Sequence, residues 1–338
     1  MIASRYVRII VAIGLYWFVS ITMVFLNKFL LSYKEFDIPL TITWSQCIVT
    51  TLLSIAIGSK IGLNKSNIFN QQINMQIIPL SLIFVGMITL NNLTLKYINV
   101  SFYLVGRSLT TVFNVIFSKL LLNQSTSMRC QLACAIIVVG FLLGIDQEIA
   151  FGIGLTMIGL VCAVGSSLCV ALNSIFTKKY LTIVQHSPFR LTYVNNLNSC
   201  FLFLPLLLFT GEVSNWKLLM IPTNGGTQVA TIYSCIFWMS MFASGILGFA
   251  ISFVSINQIE ATSPLTHVVS GTAKAYIQTV IAVIIWSEQR SFLWWLSSIA
   301  VLVGSALYAY FRTMEMQDKH QSEAIEEHSK SSTANNIV

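Results

Sequence analysis

Three cations stand where a bilayer tolerates them least. Lys28, Arg107 and Lys274 each fall inside a run of apolar residues, with no carboxylate deep in any of those runs. A charge at the bilayer centre costs roughly 2.5–3.5 kcal/mol on insertion scales. Arg107 and Lys274 lie deepest, so the pair points to a water-filled cavity and an anionic visitor. Lys28 is about one turn from the end of its run, where snorkelling to the headgroups or facing the cavity would both satisfy it. Around Lys274, the residues Thr266, Ser270 and Gln278 recur every four positions, with His267 and Gly271 beside them, which places them along one helix face. A second stripe runs through Tyr103, Arg107, Thr110, Asn114 and Ser118. Two more are Thr192–Asn195–Asn196–Ser199 and Asn91–Asn92. Hydroxyls and glycines also serve ordinary helix packing in lipid. Four stripes, two of them with a central cation, are better explained as the lining of one chamber. The amides of Asn195 and Asn196 both donate and accept, so they fit either the edge of a nucleobase or a helix interface.

Other chemistry is thin. His267 has no acid at helical spacing to orient it as a base, and the sequence contains no Gly-rich phosphate loop, HExxH or GxSxG. The seven cysteines all sit in apolar runs without CxxC spacing, so neither a disulfide framework nor a metal site is expected. Cys130 and Cys134, one turn apart, read as small hydrophobes. No cofactor is expected. A carrier of a phosphorylated organic anion is the leading reading, and an intramembrane enzyme acting on a lipid phosphate through His267 is its rival.

The elements that hold these residues follow from composition. Of 338 residues, 55% are hydrophobic and only 9% charged, whereas a soluble domain carries about a quarter charged residues. The solvent for this chain is a lipid bilayer. Apolar runs of about twenty residues number ten, among them a fourth at Val100–Leu122, a seventh at Arg190–Phe209 and a ninth at Leu265–Trp286. They are about twice the length of barrel strands and do not alternate, so an all-α polytopic membrane protein with ten transmembrane helices is expected. Of the nineteen Lys and Arg, three are the intramembrane cations. Four (Lys34, Lys96, Lys217 and Arg290) fall on one side, and all the rest on the side of the N-terminus. The positive-inside rule then places both termini in the cytosol. The net charge of +7 is thereby an orientation signal, and no nucleic-acid partner is implied.

A weak repeat is also visible. At an offset of 164, Leu132–Gly140 (LACAIIVVG) overlies Leu296–Gly304 (LSSIAVLVG), Ser127 overlies Ser291, and Arg107 comes within one turn of Lys274. An odd number of spans per repeat forces the halves into opposite orientations, which predicts two inverted five-helix repeats with the substrate between them at the midplane. The repeats are expected at 1–148 and 149–312. The polar stretch 313–338 has no apolar periodicity and is expected to be a disordered cytosolic tail.

The segments NNLTLKY (Asn91–Tyr97), FYLVGRSLTTVFN (Phe102–Asn114), GIDQE (Gly144–Glu148), RLTYVNN (Arg190–Asn196), SPLTHVVSGTAK (Ser263–Lys274) and SFLWW (Ser291–Trp295) carry a resemblance. The chain resembles the nucleotide-sugar transporters of the drug/metabolite transporter superfamily, most closely their GDP-fucose carriers of the Golgi, from about Asn27 to Arg312. The resemblance implies exchange of cytosolic GDP-fucose for luminal GMP across the Golgi membrane. It also implies nucleotide recognition by an aromatic-Tyr-Asn-Asn element on the seventh helix, matched by Tyr193-Val194-Asn195-Asn196 with Val194 where the family often has Tyr. A Gly-Ala-Leu-Asn-Lys element on the ninth helix is matched only at its Lys, here Lys274, preceded by Ser270-Gly271-Thr272-Ala273. The absent Asn fits a sugar other than mannose. Lipid is the surrounding partner, and a homodimer is among the assemblies the sequence allows.

Overall fold

The computed structural model describes residues 2–32, 38–60, 71–122, 126–150, 156–184, 187–214, 228–261, 264–287 and 289–335. Among them the chain is helical throughout, with no strand. The helices are α1 (Ile2–Leu31), α2 (Pro39–Lys60), α3 (Gln71–Tyr97), α4 (Val100–Arg107), α5 (Leu109–Leu122), α6 (Met128–Ala150), α7 (Met157–Leu181), α8 (Pro188–Thr210), α9 (Gln228–Ala261), α10 (Pro264–Ile285) and α11 (Phe292–Asn335). Seven contain stretches long and apolar enough to cross a membrane: α1, α2, α3, α6, α7, α8 and α11. Shorter apolar stretches occupy Cys235–Ile251 in α9 and Ala273–Ile285 in α10. Large side chains such as Phe209, Phe292 and Met157 point outward at 90%, 81% and 76% exposure, as a lipid-facing surface requires.

Polar residues inside these helices are largely satisfied by their own backbone. The hydroxyls of Thr43, Thr51, Ser54, Thr94 and Ser199 each donate to the carbonyl four residues back. Hydrocarbon offers no other partner for such groups, so the local bond is the stable solution.

The expected fourth span is interrupted. It divides at Ser108 into α4 and α5, because two carbonyls there are taken by hydroxyls. Ser108 Oγ donates to Val105 O at 2.6 Å, and Ser167 Oγ, reaching across from α7, donates to Gly106 O at 3.0 Å. Side chains inserted into the helical ladder in this way produce bends. The far end of the chain also differs from expectation: α11 continues as a helix to Asn335, where the sequence predicts an irregular tail. The stretch is rich in Glu, Gln, Lys, Met and Ala, and it extends a helix already anchored by packing, so no new nucleation is needed.

The helices pack as a set of pairs. α6 lies along α11, α2 along α8, α3 against both α7 and α8, and α9 against both α1 and α2. α5 packs on α7 and α6, and α10 on α11 and α1. The α6–α11 contact is tightest at two glycines. A Cβ on Gly140 would lie 3.0 Å from Ser297 O, and one on Gly304 would lie 3.0 Å from Ala133 O. Those two contacts are related by the same 164-residue offset that relates the two glycines. Small residues let the backbones approach closely, which is how helices associate in lipid.

Charges lock both ends of this pair. Arg290, one of the four cations counted on the far side, and Glu148 form an ion pair with each side chain only 1% exposed. Trp294 Nε1 also donates to Glu148 at 2.9 Å, while the Arg290 guanidinium lies 4.6 Å from the Trp294 ring centre. At the opposite end, Glu315 accepts from Ser127 N and from Arg312, each at 2.9 Å.

Candidate substrate cavity

Two of the three intramembrane cations face one chamber. A cavity of about 540 Å³ opens between α1, α2, α3, α4, α8, α9 and α10, and both Arg107 and Lys274 line it. Ligand sites for small molecules run from roughly 300 to 1,000 Å³. No carboxylate lines the cavity among the described residues.

Each cation is held from behind by neutral groups. Arg107 NH1 donates to Tyr103 OH at 3.0 Å, which in turn donates to Asn91 Oδ1 at 3.4 Å. The bond from Tyr103 to Asn91 thereby joins α4 to α3, and the Arg107 side chain stays open to the cavity. Lys274 Nζ donates to Ser20 Oγ at 2.5 Å and lies 4.9 Å from the centre of the Tyr16 ring, both on α1. Cation–π contact and one hydroxyl position the ammonium without neutralising it. Gln278, one turn further along α10, is 1% exposed, lines the same cavity and carries an amide nitrogen without a partner. An unmet buried donor costs about 1–3 kcal/mol, so it is a group that a ligand oxygen would satisfy.

The remaining sequence candidates fall into different places. Asn196 lines the cavity with its nitrogen donated to Thr192 O at 2.9 Å, which leaves its carbonyl oxygen to accept. Asn195 is also buried, but it is not part of the cavity wall, and its side-chain oxygen has no partner. Tyr193 packs with Ile77, Leu80 and Val184 at the α3–α8 contact. Tyr103 and Gly271 line the cavity directly. Ser270 sits behind it, accepting from Trp17 Nε1 at 2.8 Å and Gln258 Nε2 at 3.0 Å. Asn114 is half-buried on α5, away from this wall. The side chains of His267 and Thr272 lie outside the described residues.

Lys28 serves another purpose. Its ammonium donates to the carbonyls of Leu95 and Ile98, the latter at 2.8 Å, at the C-terminal end of α3. That is where helix carbonyls lack partners and where a cation is favoured. It ties α1 to α3 beside the cavity and is not on its wall.

Sequence reasoning missed the wall supplied by α1 and α2. Gln46 Nε2 donates to Asn27 Oδ1 at 2.9 Å and to Ser244 Oγ at 3.1 Å, and Asn92 donates to Thr43 Oγ1 at 2.6 Å. Asn27, Thr43 and Gln46 are polar residues inside otherwise apolar runs, the same signal that singled out the other stripes. Each is a single amide or hydroxyl, of the kind that ordinary helix packing in lipid also uses.

The triose-phosphate transporter family model matches residues 7–309. The chain belongs to the triose-phosphate transporter family. Members of this family are transporters, which removes the enzyme reading of His267. Among its relatives, mouse GDP-fucose transporter 1 is 46% identical over 97% of this chain and 89% of its own length. The Golgi GDP-fucose transporter of Drosophila melanogaster is 41% identical over 95% of this chain and 94% of its own. A solved chain described only as a crystal structure of a protein shares the fold, with a TM-score of 0.56 at 15% identity over 93% of this chain and 99% of that one. The family resemblance read from the sequence motifs is therefore borne out.

Proposed function

We propose that this chain is a GDP-fucose carrier of the Golgi membrane that exchanges cytosolic GDP-fucose for luminal GMP. The observation that carries the proposal is one cavity, without a carboxylate among the described residues, into which Arg107 and Lys274 both open. A diphosphate would satisfy both cations at once, through charge-assisted hydrogen bonds about twice as strong as neutral ones. Asn196 would accept from the base, and Gln278 would donate to a phosphate or ribose oxygen. The relatives named as GDP-fucose transporters support this choice of substrate. A three-carbon phosphate, suggested by the family's description, would leave most of a 540 Å³ cavity unfilled.

In this reading the chain makes ten spans, with α4 and α5 together forming the fourth, arranged as inverted repeats at 1–148 and 149–312. The packing supports it. Exchanging the helices of one half for those of the other in order turns each pairing named above into another of the same set. The loop charges support a cytosolic position for both termini. With that orientation, two ties lie at the luminal end. One is Lys28 on the α3 carbonyls. The other is Glu212, which accepts from Leu40 N at 3.0 Å and from Thr41 N and Oγ1 at 2.8 and 2.9 Å, capping the first turn of α2. Release into the lumen would require these ties to break while the α6–α11 pair stays locked.

Vesicles reconstituted with the protein and preloaded with GMP test the proposal. They should accumulate GDP-fucose well above empty vesicles, and should take up neither UDP-sugars nor triose phosphate. Equal uptake of UDP- and GDP-sugars would overturn the substrate assignment.

A further inference from the structure

A second cavity, of about 210 Å³, lies between α4, α5, α10 and α11 at the level of the Ser108 break. It shares Arg107, Gly271 and Ala275 with the large cavity, so the arginine borders both chambers. Its volume is below the range for a whole small-molecule ligand and suits a single ring. Six side chains with a hydroxyl line it: Ser108, Thr111, Tyr276, Thr279, Ser298 and Ser305. Two of these already donate to their own helix, Ser108 to Val105 O and Thr279 to Ala275 O, and keep lone pairs to accept with. Ser298 is different. It is 6% exposed, and its hydroxyl has no partner at all. A buried hydroxyl left unmet is costly, so a ligand group that enters the chamber gains by meeting it. The apolar part of the wall is formed by Val105, Val301 and Leu302.

We infer that this side chamber is the sugar subsite, taking the terminal 6-deoxyhexose ring of the substrate while the large cavity takes the nucleotide. The inference deepens the proposed function and rests on that reading. Arg107 borders both chambers, and the diphosphate linking base and sugar lies beside it. The ring hydroxyls donate to and accept from the five Ser and Thr side chains. The apolar wall receives the C5 methyl group, which a 6-hydroxylated hexose would replace with an unpaired polar group. α11 thereby contributes to specificity as well as to scaffolding, although no cation or amide on it signals a site.

The test compares a ligand that has the sugar with one that lacks it. Binding of GMP and GDP-fucose to the purified full chain is measured for Ser298→Leu, whose added bulk occupies the small chamber. GMP affinity should stay within about twofold of the unmodified protein, and GDP-fucose affinity should fall at least about tenfold. Retained GMP binding also shows that the variant is folded. Unchanged GDP-fucose affinity in that variant would overturn the inference. If Ser298→Leu loses both ligands, Ser298→Ala removes the hydroxyl without adding bulk. It should then weaken GDP-fucose severalfold and leave GMP alone, and parallel losses would count against the chamber. If the unmodified protein binds neither ligand, the substrate reading fails, and the same variants are compared on whichever nucleoside monophosphate and nucleotide sugar do bind.

Discussion

Replacing Lys274 with alanine separates stability from transport. Among the described residues the ammonium donates to Ser20 at 2.5 Å and faces the Tyr16 ring at 4.9 Å. Removing the charge relieves roughly 2.5–3.5 kcal/mol of insertion cost. It forfeits a cation–π contact of about 0.5–2 kcal/mol and a hydrogen bond of about 1 kcal/mol. These nearly cancel, so Lys274→Ala should insert and accumulate normally. The loaded state behaves differently. A hydrogen bond from a charged donor to phosphate contributes about 1.5–3 kcal/mol, so GMP and GDP-fucose should each bind roughly 10- to 150-fold more weakly. Lys274→Arg is the stricter variant. It preserves the charge but exchanges a compact point donor for a wide planar fork, in a space already bounded by Tyr16 and Ser20. The assay is ligand binding and vesicle exchange, normalised to correctly inserted protein. Near-normal exchange by Lys274→Ala would refute the cation cavity, and full activity of Lys274→Arg would reduce Lys274 to a diffuse positive charge.

Other consequences follow from the same geometry. Glu148→Gln leaves Arg290 buried without its ion-pair partner and should cost about 3–5 kcal/mol of stability. Thermal denaturation in detergent measures it, and a shift worth under about 1 kcal/mol would contradict the buried lock. Gly304→Leu places a side chain where even a Cβ meets Ile137 Cγ1 at 2.8 Å and Ala133 O at 3.0 Å. It should cost more than Ala171→Gly, judged by folded yield, and equal yields would contradict the close crossing. Asn196→Ala should weaken GMP and GDP-fucose in parallel by about 1–3 kcal/mol, and Asn195→Ala should do less, because only Asn196 reaches the cavity. A larger effect at Asn195 in a binding titration would reverse that order.

The intramembrane cations were legible in the sequence because a charge in an apolar run has few innocent explanations. Arg107 and Lys274 do share a cavity, as their lack of carboxylates implied. Lys28 satisfied the same pattern but found a helix end, since carbonyls at a C-terminus are invisible until the next helix is placed beside it. Glu148 and Arg290 look like loop residues in the sequence, and only the α6–α11 crossing brings them together, 142 positions apart. The Ser108 interruption depends on Ser167, a residue of another helix, and so could not be read from the fourth span alone. The helical continuation of α11 past Arg312 has no apolar periodicity, and its sequence signal is only the helix propensity of its Glu, Gln, Lys, Met and Ala residues. The wall of Asn27, Thr43 and Gln46 was readable in principle, as amides and hydroxyls in apolar runs, but single polar residues in lipid helices also serve ordinary packing.

The most direct test of the central claim is counterflow in sealed vesicles containing the purified protein. Vesicles preloaded with GMP should take up labelled GDP-fucose, and release of GMP should match that uptake one for one. Empty vesicles, and vesicles carrying Lys274→Ala, should show only the background of protein-free lipid. Equal GDP-fucose uptake with and without internal GMP would contradict exchange through this cavity.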